Sequence, residues 1–226
     1  RQTKEEEASS SGPLFSIWQN GKQGFIDKTG VVAIKPQFDH FRPFAEGLAA
    51  VAVGGRPYGE YLSEHGVKGG GGLPKLLLED KVDSKWGYID RTGFYVINPQ
   101  FDDAGSFSEG LAPAELGGKW GYINKLGAWI IKPMFEDANG FSESIAGVKS
   151  NKQWGYIDRA GRYVIQPQFD LAFNFHEGMA VVRMANKWGI IDKAGRTVID
   201  IKFKSPVVFT EGLAHAREND KYGYID

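Results

Sequence analysis

The hexapeptide KWGYID at Lys85–Asp90 returns as KWGYIN at Lys119, QWGYID at Gln153, KWGIID at Lys187 and KYGYID at Lys221, each copy starting 34 residues after the one before. A fixed period of this length marks a repeat architecture, in which a unit that cannot bury its apolar face alone buries it against its neighbours. Helix-pair repeats share the period, but composition argues against helices. Each unit has a glycine after the ring of its hexapeptide and another in the following turn, and a Pro follows most of the Ile-Lys, Ile-Asn and Ile-Gln steps. Glycine and proline at that density break any helical window of about twelve residues. The array is expected to be all-β.

Alternation and turn chemistry place three strands per unit. In the unit that opens at Trp86, strand A covers Trp86–Asp90, strand B covers Phe94–Ile97 and strand C covers Leu111–Leu116. Between A and B stands Asp90-Arg-Thr-Gly93, repeated as DKTG, NKLG, DRAG and DKAG. This suits a type I turn with its first side chain accepting an amide and its glycine in the left-handed region. Strand C runs into the next A through a short polar link, giving a second hairpin. From B to the next C runs a loop such as NPQFDDAGSFSEG (98–110), whose proline is expected to end pairing of strand B by removing an amide donor. Its Phe pairs, Phe101 with Phe107, Phe135 with Phe141 and Phe169 with Phe175, are expected to fill the gap between neighbouring meanders.

The expected fold is therefore a tandem series of 34-residue three-stranded meanders stacked as an open superhelical β-repeat array, with a five- or six-bladed β-propeller as the alternative. Residues 1–13 read as a disordered or tag-like N-terminus, and residues 14–226 as the repeat domain. A net charge of −1 and a pI near 6.5 lack the cationic excess that nucleic acid demands, and no membrane insertion is expected because no run approaches the ~18 apolar residues of a spanning helix. The chain has no Cys, which excludes disulfides, Cys-ligated zinc and thiol catalysis. That absence leans towards a cell-envelope or secreted location and leaves the compartment open.

The K-W-G-Y-I-D, D-x-x-G and F-x-E-G-L-A elements resemble the WG, or KWG, repeat family of bacterial proteins over residues 14–226. The resemblance implies an interaction module of cell-surface and effector-type chains, and it supplies no catalytic residue.

An active site is needed once per protein, a packing solution once per repeat. Trp86, Trp120, Trp154 and Trp188 share one phase and Glu109, Glu143, Glu177 and Glu211 another, so both sets read as structural, the glutamates accepting backbone amides in their loops. Asp39, Asp102, Glu136 and Asp170 also share a phase, which argues against a glycosidase-type carboxylate pair. The four His lack metal-ligand spacing, and no phosphate-binding or nucleophile-elbow motif occurs. No catalytic residue, metal or cofactor is expected.

The largest departure from phase is an insertion at 54–84. Ala49 and Trp86 stand 37 positions apart, against 8 for Ala112 and Trp120, so this one C–A hairpin holds 29 extra residues. Insertions in repeat arrays fall on loops that often bind, which makes Tyr58, Tyr61, Leu73, Leu76, Leu77 and Leu78 the candidate partner-binding residues. The expected function is a non-catalytic scaffold for a protein partner of unspecified identity. The alternative is a carbohydrate or cell-wall binding module using Trp18, Tyr95, Trp129 and Tyr163.

Overall fold

Residues 12–57, 81–210, 213–218 and 221–225 are described by a computed structural model, and every regular element among them is a β-strand. The chain forms two compact units, the first running to Ser106 and including Lys125–Gly127, the second holding Phe107–Asn124 and the chain from Ala128 onward. The first unit contains β1 (Phe15–Gln19), β2 (Lys22–Ile26), β3 (Val32–Phe38), β4 (His40–Phe41), β5 (Ala49–Val53), β6 (Arg56–Pro57), β7 (Lys81–Val82), β8 (Lys85–Ile89), β9 (Tyr95–Phe101) and β10 (Asp103–Ala104). In the second, β11 (Leu111–Leu116), β12 (Lys119–Asn124) and β13 (Trp129–Phe135) form one meander. After it come β14 (Asp137–Ala138), β15 (Ile145–Ser150), β16 (Gln153–Asp158) and β17 (Tyr163–Phe169), then β18 (Leu171–Ala172), β19 (Met179–Met184), β20 (Lys187–Asp192) and β21 (Thr197–Phe203). The last strands are β22 (Val208–Thr210), β23 (Leu213–Glu218) and β24 (Lys221–Ile225).

Two turn chemistries set the order C, A, B in each meander. Strands C and A pair antiparallel from Leu111↔Asn124 to Leu116↔Lys119, closed by Gly117 and Gly118 at φ 63° and 73°. Two consecutive residues at positive φ make a type I′ turn, whose twist matches that of the strands it joins. Asn20-Gly21, Asn151-Lys152 and Ala185-Asn186 close the equivalent hairpins in the same way. Between A and B, Asp90 Oδ1 accepts the amides of Thr92 at 2.9 Å and Phe94 at 3.1 Å, while Gly93 takes φ 89°.

Strand B does not end at its proline, contrary to the sequence-based expectation. β13 runs through Pro133 to Phe135, with Trp120 paired to Phe135 and Tyr122 to Ile131, so Gly121 alone faces Lys132, Pro133 and Met134. The proline sits in this bulge, where no ladder amide is demanded of it, and pairing resumes beyond. β3, β9 and β17 carry the same bulge around Pro36, Pro99 and Pro167. The bulge also explains the glycine of the WG pair. A Cβ on Gly121 would stand 2.5 Å from the Ile131 carbonyl oxygen and 2.7 Å from the Pro133 nitrogen.

Strands A and C are buried at consecutive positions rather than alternate ones: Gly121, Tyr122 and Ile123 on β12, and Leu111 to Ala114 on β11. Both faces of these two strands are therefore covered, as in sheets packed between layers, while strand B keeps alternate positions exposed. One cluster joins Leu111, Tyr122, Ile131 and Phe135 to Phe141, Val148 and Ile157 of the following repeat, and another joins Trp154, Tyr156 and Phe169 to Phe175, Val182 and Ile191. No repeat in these clusters has a core of its own. The insertion enters where β5 and β8 would otherwise be closed by a two-residue turn, and it opens with a short ladder pairing β6 to β7. Its candidate residues Tyr58, Tyr61, Leu73, Leu76, Leu77 and Leu78 lie outside the described residues, as does Glu211.

Candidate functional site

The recurrent side chains are engaged in packing. Trp154 and Trp188 are buried and Trp86 and Trp120 half-buried, while the largest fully buried side chains are the tyrosines that follow the WG pair, Tyr88, Tyr122 and Tyr156. Their hydroxyls donate to the carbonyl oxygens of Gly105 at 2.8 Å, Asn139 at 2.7 Å and Phe173 at 2.8 Å. Burial pushes all three hydroxyls well above the ordinary tyrosine pKa, so they remain donors throughout the physiological range.

The glutamates stand in a two-residue turn that precedes strand C. Glu109 and Gly110 stand at φ 53° and 76°, with Ser108 and Leu111 exchanging backbone hydrogen bonds at 2.9 and 3.1 Å. Their carboxylates reach beyond their own loops. Glu109 accepts the Ser144 amide at 3.1 Å, Glu143 the Gly178 amide at 3.0 Å, in each case from the turn one repeat further on. Arg159 donates to the Glu109 carbonyl at 2.7 Å and Lys193 stands 2.9 Å from the Glu143 carboxylate. In the first unit Lys125 meets Glu46 at 3.2 Å. The lysine hydrogen bond, with the Gly178 amide, holds the Glu143 carboxyl below its ordinary pKa.

Departures from phase converge at the root of the insertion. His40 stacks on the Trp86 ring, with centroids 6.4 Å apart and planes at 16°, and the Arg42 guanidinium lies 5.1 Å from the ring centroid. Asp103 at 2.9 Å and the Ala104 carbonyl at 2.6 Å hold that guanidinium in place. A cavity of about 720 Å³ is lined here by His40, Asp83, Ser84, Lys85, Trp86 and Asp102. Lys85 and Asp102 neutralise one another across it. Ser84 is buried and its Oγ has no hydrogen-bond partner among the described residues.

The second unit carries a different feature, which sequence reading did not single out. Among the described residues, strands β13, β17 and β21 each end the order of their sheet and pair with strand A on one side only. At one phase of these outer strands stand Ile130, Val164 and Val198, exposed by 51, 44 and 52%. The turn of the next repeat packs on the inward-facing neighbour of each of the first two: a Cβ on Gly161 would lie 3.3 Å from Ile131, and one on Gly195 would lie 3.4 Å from Ile165. The signal in sequence was present as an Ile or Val before each inward-facing Ile, but it could not be told from core until the strand was known to lie at an edge.

The family model of the WG containing repeat matches residues 24–56, 86–120, 120–154, 154–188 and 188–222. The chain belongs to the WG-repeat family. Residues 57–85, most of the insertion, fall between the matched WG repeats. No curated protein matches the chain. A crystal structure of a eukaryotic initiation factor aligns over 92% of this chain at 11% identity with a TM-score of 0.50, a likeness of fold alone, and the WG-repeat chain spans 57% of that structure's length. A protein of unknown function from Bacteroides caccae aligns over 84% of this chain and 77% of its own at 14% identity, with a TM-score of 0.35, too low to carry an argument.

Proposed function

We propose that this WG-repeat chain is a non-catalytic scaffold that binds a protein partner along the outer edges of its B strands. The observation that carries the reading is the row of Ile130, Val164 and Val198 on strands whose outer edge lies last in its sheet. Apolar side chains repeated beside unpaired strand edges suit an extended partner that gains contact at every repeat, and they are a liability for a chain with no partner. Proline in β13 and β17 blunts pairing to another copy of the same edge. The insertion supplies a second candidate contact.

The glycan reading rests on Trp18, exposed by 65% on β1. It is weaker at the other aromatics. Trp129 and Tyr163 are half-buried, and Tyr163 meets Ser150 Oγ at 2.8 Å and lies edge-on to Phe135. The test is a triple variant, I130E/V164E/V198E, compared with the parent chain. Partners captured by the parent are identified and the purified partner is titrated against both. Affinity is expected to fall about tenfold or more. Equal affinity would overturn the edge as the binding surface, and retention on a glycan array with no protein captured would favour Trp18 and carbohydrate.

A further inference from the structure

The turns between strands A and B differ between the two units in what they hold outward. Beside the turn glycine the first unit places Val31, Phe94 and Leu126, one in each of three consecutive turns, exposed by 62, 75 and 87%. At the same phases the second unit carries Ala128, Arg162 and Arg196 after the glycine and Ala160 and Ala194 before it, all exposed. The apolar tips follow one run of packed turns. A Cβ on Gly93 would stand 3.1 Å from Ile34 of β3, and one on Gly127 would stand 3.2 Å from Ile97 of β9, so each turn rests on the strand that follows the preceding tip. Their main chain is satisfied from within. Asp27 Oδ1 accepts the amides of Thr29 at 2.8 Å and Val31 at 3.1 Å, Asp90 does the same for Thr92 and Phe94, and Asn124 Oδ1 accepts the Ala128 amide at 3.0 Å.

We infer that these three turns form a docking surface for an anionic lipid bilayer, with Val31, Phe94 and Leu126 entering its interface. Any backbone that a bilayer admits must bring its own hydrogen-bond partners, and these turns do. The same bonds draw the Asp27 and Asp90 carboxylates inward onto the turn amides, and the third turn has the uncharged Asn124 in their place. Beside each tip stands a cation, Lys28, Arg91 or Lys125, so the charge offered to the lipid headgroups is positive. Arg91 also lies over the Phe44 ring and Lys125 meets Glu46, so the dependence on lipid charge is that of about one cation. Side chains this exposed leave no packing behind when they are buried elsewhere. A bilayer admits separate tips without a pocket for each, which a protein surface would have to supply. The contact lies at the interface and needs no spanning segment.

The full chain is floated with vesicles of phosphatidylcholine, or of phosphatidylcholine and phosphatidylserine in equal parts. It is expected to bind the mixed vesicles, about fivefold more tightly than phosphatidylcholine alone. F94S/L126S is expected to weaken that binding at least about tenfold while keeping the thermal midpoint of the parent. L126S, expected to weaken it about threefold or more, serves the same purpose if the double variant does not fold. I130S/V164S/V198S is expected to bind vesicles as the parent does, which separates the turns from the edge row of the second unit. No binding of the parent to either vesicle, parent-like binding by folded F94S/L126S, or an equal loss in I130S/V164S/V198S would overturn the surface. So would a protein partner that the parent captures and F94S/L126S loses while neither binds lipid. Equal affinity for the two vesicles would overturn the part given to the cations.

Discussion

At Gly121 the choice of residue is decided on the opposite strand. Its missing side chain leaves room for the bulge that carries Pro133, and the atoms a Cβ would strike are main-chain atoms that cannot swing aside. Gly118 also lacks a side chain, but there the reason is its own φ of 73°, with open space around it. The two glycines are thus distinguishable by substitution. Gly121→Ala is expected to cost about 3 kcal/mol of unfolding free energy in urea titrations, from overpacking against a fixed partner. Gly118→Ala is expected to cost about 1 kcal/mol, from the left-handed conformation alone. Equal costs at the two positions would contradict the bulge as the reason for the WG glycine.

At the scale of strands and turns, the hairpins were legible because their chemistry is local. Strand C was placed at Leu111–Leu116, as found, and the D-x-x-G turn carries its acceptor and its left-handed glycine within four residues. Strand B was cut short because a proline read alone means a lost donor, and only the pairing of Trp120 with Phe135 shows that the strand resumes beyond it. Glu109 and Glu143 were assigned to amides within their loops because a single repeat cannot reveal a bond made to the next one. Ile130, Val164 and Val198 read as core in sequence, because only the strand order shows that they lie on the last strand of each sheet. The insertion is a test of how local the hairpins are. Deleting residues 56–84 leaves Gly54-Gly55 between Val53 and Lys85, the same turn that Gly117-Gly118 forms, and keeps the Gly55 amide on Asp39 at 3.1 Å. The shortened chain is expected to fold, with unfolding free energy unchanged or raised by up to about 2 kcal/mol through the shorter closure. Loss of cooperative unfolding would show that residues 56–84 belong to the core.

Across the whole molecule the carboxylates of the turns act in concert. The amide and side chain of Arg162 hold Asp158 below its ordinary value of 3.8, and Arg196 does the same for Asp192. The Thr29 hydroxyl lowers Asp27, at Asp90 the Thr92 hydroxyl and turn amides outweigh the cost of burial, and Lys193 lowers Glu143. Each group has a lower pKa folded than unfolded, so each contributes stability that is full above the unfolded value and lost as pH falls through the folded one. Thermal midpoints are expected to be flat from about pH 7 to 5 and to drop steeply below about pH 4. A midpoint that rises on acidification would contradict the assignment. The junctions between repeats also have a direction, because they mate unlike faces: one repeat offers an isoleucine and a glutamate, the following one a glycine, a cation and a turn amide. A series joined this way has a leading end and a trailing end that are not interchangeable. A further 34-residue copy spliced between two existing ones would find a seat on both sides, whereas the same copy cut loose would have half its interior open to water.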